Sequence, residues 1–246
     1  MAADKITTIA IVLAAGQGKR MQSKVAKQYL LIQDKPVLYY SLKAFQESLI
    51  DHIILVTGSA DLEYVRREIV EKYGFTKVRC IIEGGKERYH SVYNGLLASA
   101  KYGTEESYVF IHDGARPFVS EQMIEKAYRC VVKEKACVVG MPAKDTIKIA
   151  DENGYVAQTP ARRLVWLIQT PQVFELCLIT DAYHELIENE EVLLDGGTQI
   201  TDDASVLELL TDKKVKLVEG AYENIKITTP EDLKTAEVFL QEKQHF

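Results

Sequence analysis

Short runs rich in Val, Ile and Leu recur along the chain up to Gly140: Ile9 to Leu13, His52 to Thr57, Val78 to Ile82, Tyr108 to Ile111 and Ala136 to Gly140. They are short and apolar, and such runs suit strands buried on both faces, as in a parallel sheet. Between them, Pro36 to Glu47, Ala60 to Tyr73, Arg88 to Lys101 and Ser120 to Lys133 are amphipathic and predict helices. Strands alternating with helices predict an α/β fold: a three-layer sandwich with a mostly parallel sheet and right-handed crossovers.

The rhythm changes after Pro142. Asp145 to Ile149 runs into Asp151-Glu152-Asn153-Gly154-Tyr155-Val156 and on to Gln158-Thr159. Asn-Gly between two alternating runs signals a hairpin, so residues 143 to 170 or so read as a protruding two-stranded β-arm. Such an arm has little core of its own, and a second subunit is the natural partner for it. Helical patterns return at Glu175 to Glu188 and at Asp202 to Leu210, the latter with Thr201 as N-cap. A strand at Lys214 to Glu219 follows. Thr229 then caps a helix with Pro230 first and Asp232 third, running to about Gln241.

Composition narrows the class. With 246 residues, 47% hydrophobic and 27% charged, the chain is long enough for a large core, and no linker or repeat divides it, so residues 1–246 read as one domain. A formal charge of −6 speaks against a general nucleic-acid or anionic-membrane binder, so any cationic site is local. Cys80, Cys130, Cys137 and Cys177 form no Cys-x-x-Cys pair, and the five histidines show no metal-ligand spacing. Lys5 and the apolar residues after it outline a secretory signal, but Thr7 and Thr8 interrupt it. No stretch approaches the ~20 apolar residues of a membrane span, and a soluble cytoplasmic protein is the simplest expectation.

Candidate chemistry begins at Leu13-Ala14-Ala15-Gly16-Gln17-Gly18-Lys19-Arg20-Met21, followed by Ala26-Lys27-Gln28-Tyr29-Leu30. Small residues let backbone N–H groups approach an anion, and Lys19, Arg20, Lys24 and Lys27 bring positive charge. The loop is not a P-loop, since Arg20 stands where Ser or Thr is needed, nor a dinucleotide fingerprint, since Met21 replaces the last small residue. A nucleoside-triphosphate cradle of another type fits, and a structural strand-to-helix turn is the alternative.

Two more constellations belong at the same sheet edge. Glu83-Gly84-Gly85-Lys86-Glu87-Arg88 leads to Ser91, either as a second ligand loop or as a plain turn. Ile111-His112-Asp113-Gly114-Ala115-Arg116 puts a carboxylate just past a buried strand, suited to holding Mg²⁺ against phosphates or to forming a turn. Arg116 reads as a ligand contact or as a structural ion-pair partner.

Read in order, LAAGQGKRM, KQYL, EGGKERYHSVYNGL, HDGARPF, DTIK, Thr159-x-x-Arg162, QTPQVF, TDDAS and NIKITTPEDL closely resemble the 2-C-methyl-D-erythritol 4-phosphate cytidylyltransferase family, from residue 9 or so to about 240. The resemblance implies a Rossmann-like nucleotidyltransferase fold and a step of the non-mevalonate isoprenoid route. In that step CTP and a methylerythritol phosphate give a CDP-alditol and pyrophosphate.

By the same resemblance, Arg20 and Lys27 stabilise the transition state, and Arg162 and Lys226 hold the attacking phosphate. Asp113 lies near Mg²⁺. Ala14, Ala15, Gly16, Gly85 and Ser91 contact CTP, and Arg88, Asp113, Arg116 and Thr146 complete the substrate site. The arm carrying Thr146 and Arg162 crosses to a neighbouring subunit, which implies a homodimer. Two positions depart from the family's pattern: Ala26, where proline usually precedes the lysine, and Ala161, where aspartate is frequent. Ribitol-5-phosphate cytidylyltransferase is the nearest alternative; Gly114-Ala115 and Lys148 favour the methylerythritol branch. A regulatory nucleotide-binding module without turnover is the alternative from another class, and the acceptor-side pair Arg162 and Lys226 speaks against it.

Overall fold

The computed structural model describes residues 6–16, 21 and 25–244. Its centre is a seven-stranded sheet. In chain order the strands are β1 (Thr8–Ala14), the short pair β2 (Leu31–Ile32) and β3 (Lys35–Pro36), β4 (His52–Thr57), β5 (Val78–Glu83), β6 (Tyr108–Asp113), β7 (Ala136–Pro142), the arm strands β8 (Ile149–Ala150) and β9 (Val156–Gln158), β10 (Trp166–Glu175) and β11 (Lys216–Glu219). The helices are α1 (Val37–Glu47), α2 (Leu62–Tyr64), α3 (Arg88–Ser99), α4 (Glu121–Glu134), α5 (Leu176–Glu188), α6 (Glu190–Asp195), α7 (Asp203–Leu210) and α8 (Pro230–Gln244).

The sheet order is β11-β7-β10-β6-β1-β4-β5. All five apolar runs are strands, and β1 lies parallel to both β4 and β6, with Ile11 opposite Ile54 and Ile111. Because side chains alternate across a strand, β1 feeds two cores at once. Ala10 and Val12 pack with Leu42 and Phe45 of α1 and Ile124 of α4, whereas Ile9 and Ile11 pack with Leu96 of α3, Tyr183 of α5 and Val206 of α7. Those two cores are the interfaces of a three-layer sandwich.

β10 is the largest departure from the sequence reading, and it begins at Trp166, inside the stretch expected to be arm. It inserts antiparallel between β6 and β7, with an irregularity between Ile168 and Gln172. Its middle is Gln169-Thr170-Pro171-Gln172, which hides the strand from an apolar-run search, yet Gln169, Thr170 and Gln172 are all buried. The arm proper is the β8–β9 hairpin, where Gly154 takes a positive φ of 84° and Asp151 Oδ1 accepts from the N–H groups of Asn153 and Tyr155 at 2.9 Å.

Three smaller corrections concern helices. α7 is capped by Asp202, not Thr201: Asp202 Oδ1 accepts from Ser205 N at 2.9 Å, and Asp203 becomes the first helical residue. The segment expected as one helix over 60–73 is a 3₁₀ turn (Ser59–Asp61), α2 and a wider π turn (Val65–Glu71), with Val65 and Ile69 still facing the core. α8 starts at Pro230 as predicted and runs on to Gln244, with Asp232 Oδ2 accepting from Thr228 N and Thr229 N at 2.7 and 2.8 Å.

Candidate functional site

The C-terminal ends of β1, β4, β5 and β6 share one edge of the sheet. β1 lies between β4 and β6, so the chain reverses its direction of spread there and leaves the crevice in which open α/β sheets bind ligands. A cavity of ≈ 490 Å³ opens at this place, bordered by Gly16, Lys27, Gly85, Arg88, Asp113 and Lys226.

Each wall has a local cause. The turn Lys27–Tyr29 is pinned from both sides of its centre: Gln28 Nε2 donates to Ala14 O at 2.6 Å, and Tyr29 and Thr57 share a hydroxyl hydrogen bond of 2.6 Å. Gln28 and Tyr29 thereby face the core while Lys27 faces the cavity. The opposite wall needs glycine, because a Cβ on Gly84 would lie 2.5 Å from Ala15 Cβ, and one on Gly85 would collide with His90. Gly85 N donates to Ser91 Oγ at 3.0 Å, and Glu87 and His90 form a capping box that opens α3.

Asp113 ends β6 and stands where three cations converge. Lys226 Nζ is 2.8 Å from its Oδ2, Arg88 Nε 3.3 Å from its Oδ1 and Arg116 Nε 3.8 Å from its Oδ2. Burial pushes the carboxyl's pKa up, but Arg88, Lys226 and Arg116 together outweigh it and hold it far below the usual carboxylate range. The cavity lining carries Lys27, Lys86, Arg88 and Lys226 against Glu87 and Asp113, a surplus of positive charge in a chain that is negative overall.

A buried hydrogen-bond ring fixes this group. Asp113 N donates to Thr170 Oγ1 at 3.1 Å; Thr170 Oγ1 and His112 Nδ1 are 2.9 Å apart, and His112 Nε2 faces Arg116 O at 3.2 Å. Since the Arg116 carbonyl only accepts, His112 carries its proton on Nε2 and takes the Thr170 hydroxyl on Nδ1. Burial lowers the His112 pKa to about 4, so the ring is neutral at pH 7. Asn224 Nδ2 donates to Thr170 O and Arg116 Nη1 to Asn224 O, both at 2.9 Å, and Ile227 N donates to Ala115 O at 2.8 Å. Lys226 is thus clamped on both sides to the loop that carries Asp113.

Of the residues expected at the site, Ala15, Gly16, Lys27, Gly85, Arg88, Ser91, Asp113 and Lys226 border this cavity. Ala14 lies beneath it as the acceptor for Gln28. Arg116 borders an adjoining cavity of ≈ 320 Å³ that shares Arg88, Asp113 and Lys226 with the first and extends to Thr201 and Asp202. Arg116 also serves as the structural ion-pair partner that was the other reading of it, and burial lowers its pKa. Thr146 and Arg162 sit exposed on either side of the arm hairpin, where Arg162 Nη1 donates to Lys144 O at 3.2 Å, and neither borders these cavities within one chain. Arg20 lies outside the described residues.

Thr170, Asn224, His112 and Asp203 are the participants to which the sequence assigned no role. They sit inside QTPQVF, NIKITTPEDL, HDGARPF and TDDAS, so the signal was their membership of a motif rather than any local property. For a metal ion, the described residues offer no cluster of three His, Cys, Asp or Glu side chains. Asp113 provides one buried, ionised carboxylate. That donor set does not form an all-protein cage, but it fits a hard cation drawing most of its oxygens from phosphate and water. No helix among the described residues is long and apolar enough to cross a membrane.

Residues 8–242 match the family model described as IspD, 2-C-methyl-D-erythritol 4-phosphate cytidylyltransferase. A protein of that name from Lachnoclostridium phytofermentans is 50% identical over 243 residues, 99% of each chain. Another from Lachnospira eligens is 51% identical over 233 residues, 94% of this chain and 98% of the relative. Among solved structures, the 4-diphosphocytidyl-2C-methyl-D-erythritol synthase of Anaerococcus prevotii superposes with a TM-score of 0.81 at 37% identity, covering 96% of both chains.

Proposed function

The chain belongs to the 2-C-methyl-D-erythritol 4-phosphate cytidylyltransferase family, and from that premise we propose that it transfers a cytidylyl group from CTP to 2-C-methyl-D-erythritol 4-phosphate, in the non-mevalonate isoprenoid pathway. An oxygen of the acceptor's phosphate attacks the α-phosphorus of CTP, the bond to the β-phosphate breaks, and the products are 4-CDP-2-C-methyl-D-erythritol and pyrophosphate. The observation that carries this reading is the meeting of Lys27, Asp113 and Lys226 at one cavity, with Asp113 and Lys226 also bordering the adjoining one, which gives each of the two anions a place.

A phosphate monoester with a second pKa near ~6 is already largely dianionic at neutral pH, so the reaction needs no general base. What it needs is positive charge, fixed in advance, where two polyanions meet and where charge builds up as pyrophosphate leaves. Lys27 faces the triphosphate side and, with Arg20, stabilises the transition state. Lys226, borne by the loop fastened to Asp113 and Arg116, faces both cavities and orients the attacking phosphate. Main-chain groups of Ala14 to Gly16 and Gly85, together with Ser91, receive the nucleotide. The enzyme uses a divalent cation, expected to be Mg²⁺, which Asp113 would help to hold and which neutralises phosphate charge when bound.

The active form is a homodimer. Tyr155, Val156 and Leu164 on and beside the arm are 74%, 61% and 68% exposed, an apolar surface in want of a covering partner. Each protomer's arm would bring its Thr146 and Arg162 to the acceptor side of the other's site. A cytoplasmic location accords with four free thiols. The test is pyrophosphate release from CTP with Mg²⁺ and either 2-C-methyl-D-erythritol 4-phosphate or ribitol 5-phosphate: turnover with the first is expected, and turnover with the second alone would overturn the choice of acceptor.

A further inference from the structure

Asp203 is completely buried at the start of α7, yet it makes a two-pronged ion pair. Its Oδ1 and Oδ2 accept from Arg88 Nη1 and Nη2 at 2.8 and 2.7 Å, and the Tyr183 hydroxyl donates to Oδ1 at 2.6 Å. Burying a carboxylate is strongly unfavourable unless it is paired and hydrogen-bonded, and the transfer step assigns this one no task. The helix start that carries it is itself fixed to the sheet: Gln172 Oε1 accepts from Ala204 N at 2.9 Å, and Gln172 Nε2 donates to Asp202 Oδ2 at 2.8 Å.

Arg88 is the first residue of α3, and its side chain borders both cavities. A guanidinium at a helix N-terminus beside an anion cavity is well placed to close on phosphate as a two-pronged clamp. Here Asp203 takes one N–H of each terminal nitrogen and Nε faces Asp113, so the two-pronged edge of the guanidinium is already occupied. The result is a row of alternating charge, Asp203, Arg88, Asp113 and Lys226, in which each member fixes the next.

We propose, resting on the cytidylyl-transfer reading, that Asp203 is a positioning residue: it keeps Arg88 off the phosphates, so that Arg88 orients Asp113 and Lys226 is the side chain that meets them. Releasing Arg88 would let it grip pyrophosphate, which tightens product binding and misplaces Asp113. A purely structural pin between α3 and α7 would have the opposite effect on binding, since loosening the cavity weakens every ligand.

The test uses the full chain carrying Asp203→Asn, Arg88→Gln, both together, or Tyr183→Phe, with calorimetric titration of pyrophosphate and steady-state kinetics. For Asp203→Asn we expect pyrophosphate to bind about tenfold more tightly, the scale of a new charge-assisted hydrogen bond, with kcat lowered about tenfold through misplacement. In the Arg88→Gln background the Asn substitution should change pyrophosphate affinity less than about twofold, since Asp203 acts only through Arg88. Weaker pyrophosphate binding in Asp203→Asn, or the same effect with and without Arg88, overturns the proposal. Tyr183→Phe removes one hydroxyl, and the same sign is expected at about twofold to threefold; if Asp203→Asn does not fold, unchanged or weaker pyrophosphate binding in Tyr183→Phe overturns it instead. A wild-type chain without turnover would defeat the reaction reading, while the pyrophosphate titrations would still decide the positioning.

Discussion

Lys226 Nζ lies 2.8 Å from Asp113 Oδ2, at the border of both cavities, although the two residues come from opposite halves of the chain. In the proposed reaction the incoming acceptor phosphate competes with Asp113 for this ammonium. For Lys226→Ala we expect kcat/KM for the acceptor phosphate to fall by ~10²-fold or more, since a charge aimed at the reacting phosphate is lost. Steady-state assays with acceptor varied at saturating CTP check this, and a defect confined to the KM for CTP would refute the assignment.

Lys27 is presented to the cavity by a turn anchored through Gln28 and Tyr29. Its truncation to Ala should lower kcat by ~10²-fold or more while the protein's melting temperature stays within a few degrees, because the anchoring side chains remain. An unchanged kcat would remove Lys27 from the transition state.

Acid should destabilise the fold through His112. Its folded pKa of about 4 lies below the ordinary value near 6.5, so between these pH values the unfolded chain binds more protons and stability rises with pH. The shift corresponds to about 3 kcal/mol, fully present above pH ~6.5 and lost towards pH ~4. Asp113 adds a contribution of the same sense, present above the ordinary carboxyl pKa of ~4 and lost as the pH falls towards its depressed folded value. Urea denaturation at pH 7 and pH 4.5 should show the difference, and His112→Gln should flatten most of the slope. A wild-type slope in that variant would contradict the assignment.

The arm gives a prediction that needs two lesions. Arg162→Ala and Lys226→Ala should each be inactive alone. Mixed after unfolding and refolding together, they should recover about a quarter of wild-type activity, because half the dimers are mixed and each holds one intact site. No recovery would mean that Arg162 serves its own chain's cavity. Leu164→Asp should shift sedimentation towards monomer and abolish activity at the same time.

Much of the frame was legible because β1, β4, β6 and β7 contain apolar runs, which a chain has little reason to carry except in a sheet covered on both faces, while β5, interrupted by Arg79, is the edge strand. β10 was not legible for a reason that concerns function. Thr170 holds Asp113 and His112, Gln169 donates to Ala221 O, and Gln172 holds α7, so the strand's centre is polar while being buried. In sequence a buried polar residue looks like an exposed one, and its partners lie far along the chain. Asp203 and Asn224 were hidden in the same way, whereas Lys27, Asp113 and Lys226 stood out through their motifs. The α7 cap was misplaced by one residue because Thr201 and Asp202 are both good caps.

The reaction itself can be followed through its oxygen atoms. With 2-C-methyl-D-erythritol 4-phosphate carrying ¹⁸O in its phosphate, attack by that phosphate on the α-phosphorus of CTP leaves ¹⁸O in the new phosphorus–oxygen–phosphorus bridge and none in pyrophosphate. Phosphorus NMR and mass spectrometry of the products read both positions. An unlabelled bridge, or label in an alditol triphosphate with release of CMP or in an alditol diphosphate with release of CDP, would contradict cytidylyl transfer at this site.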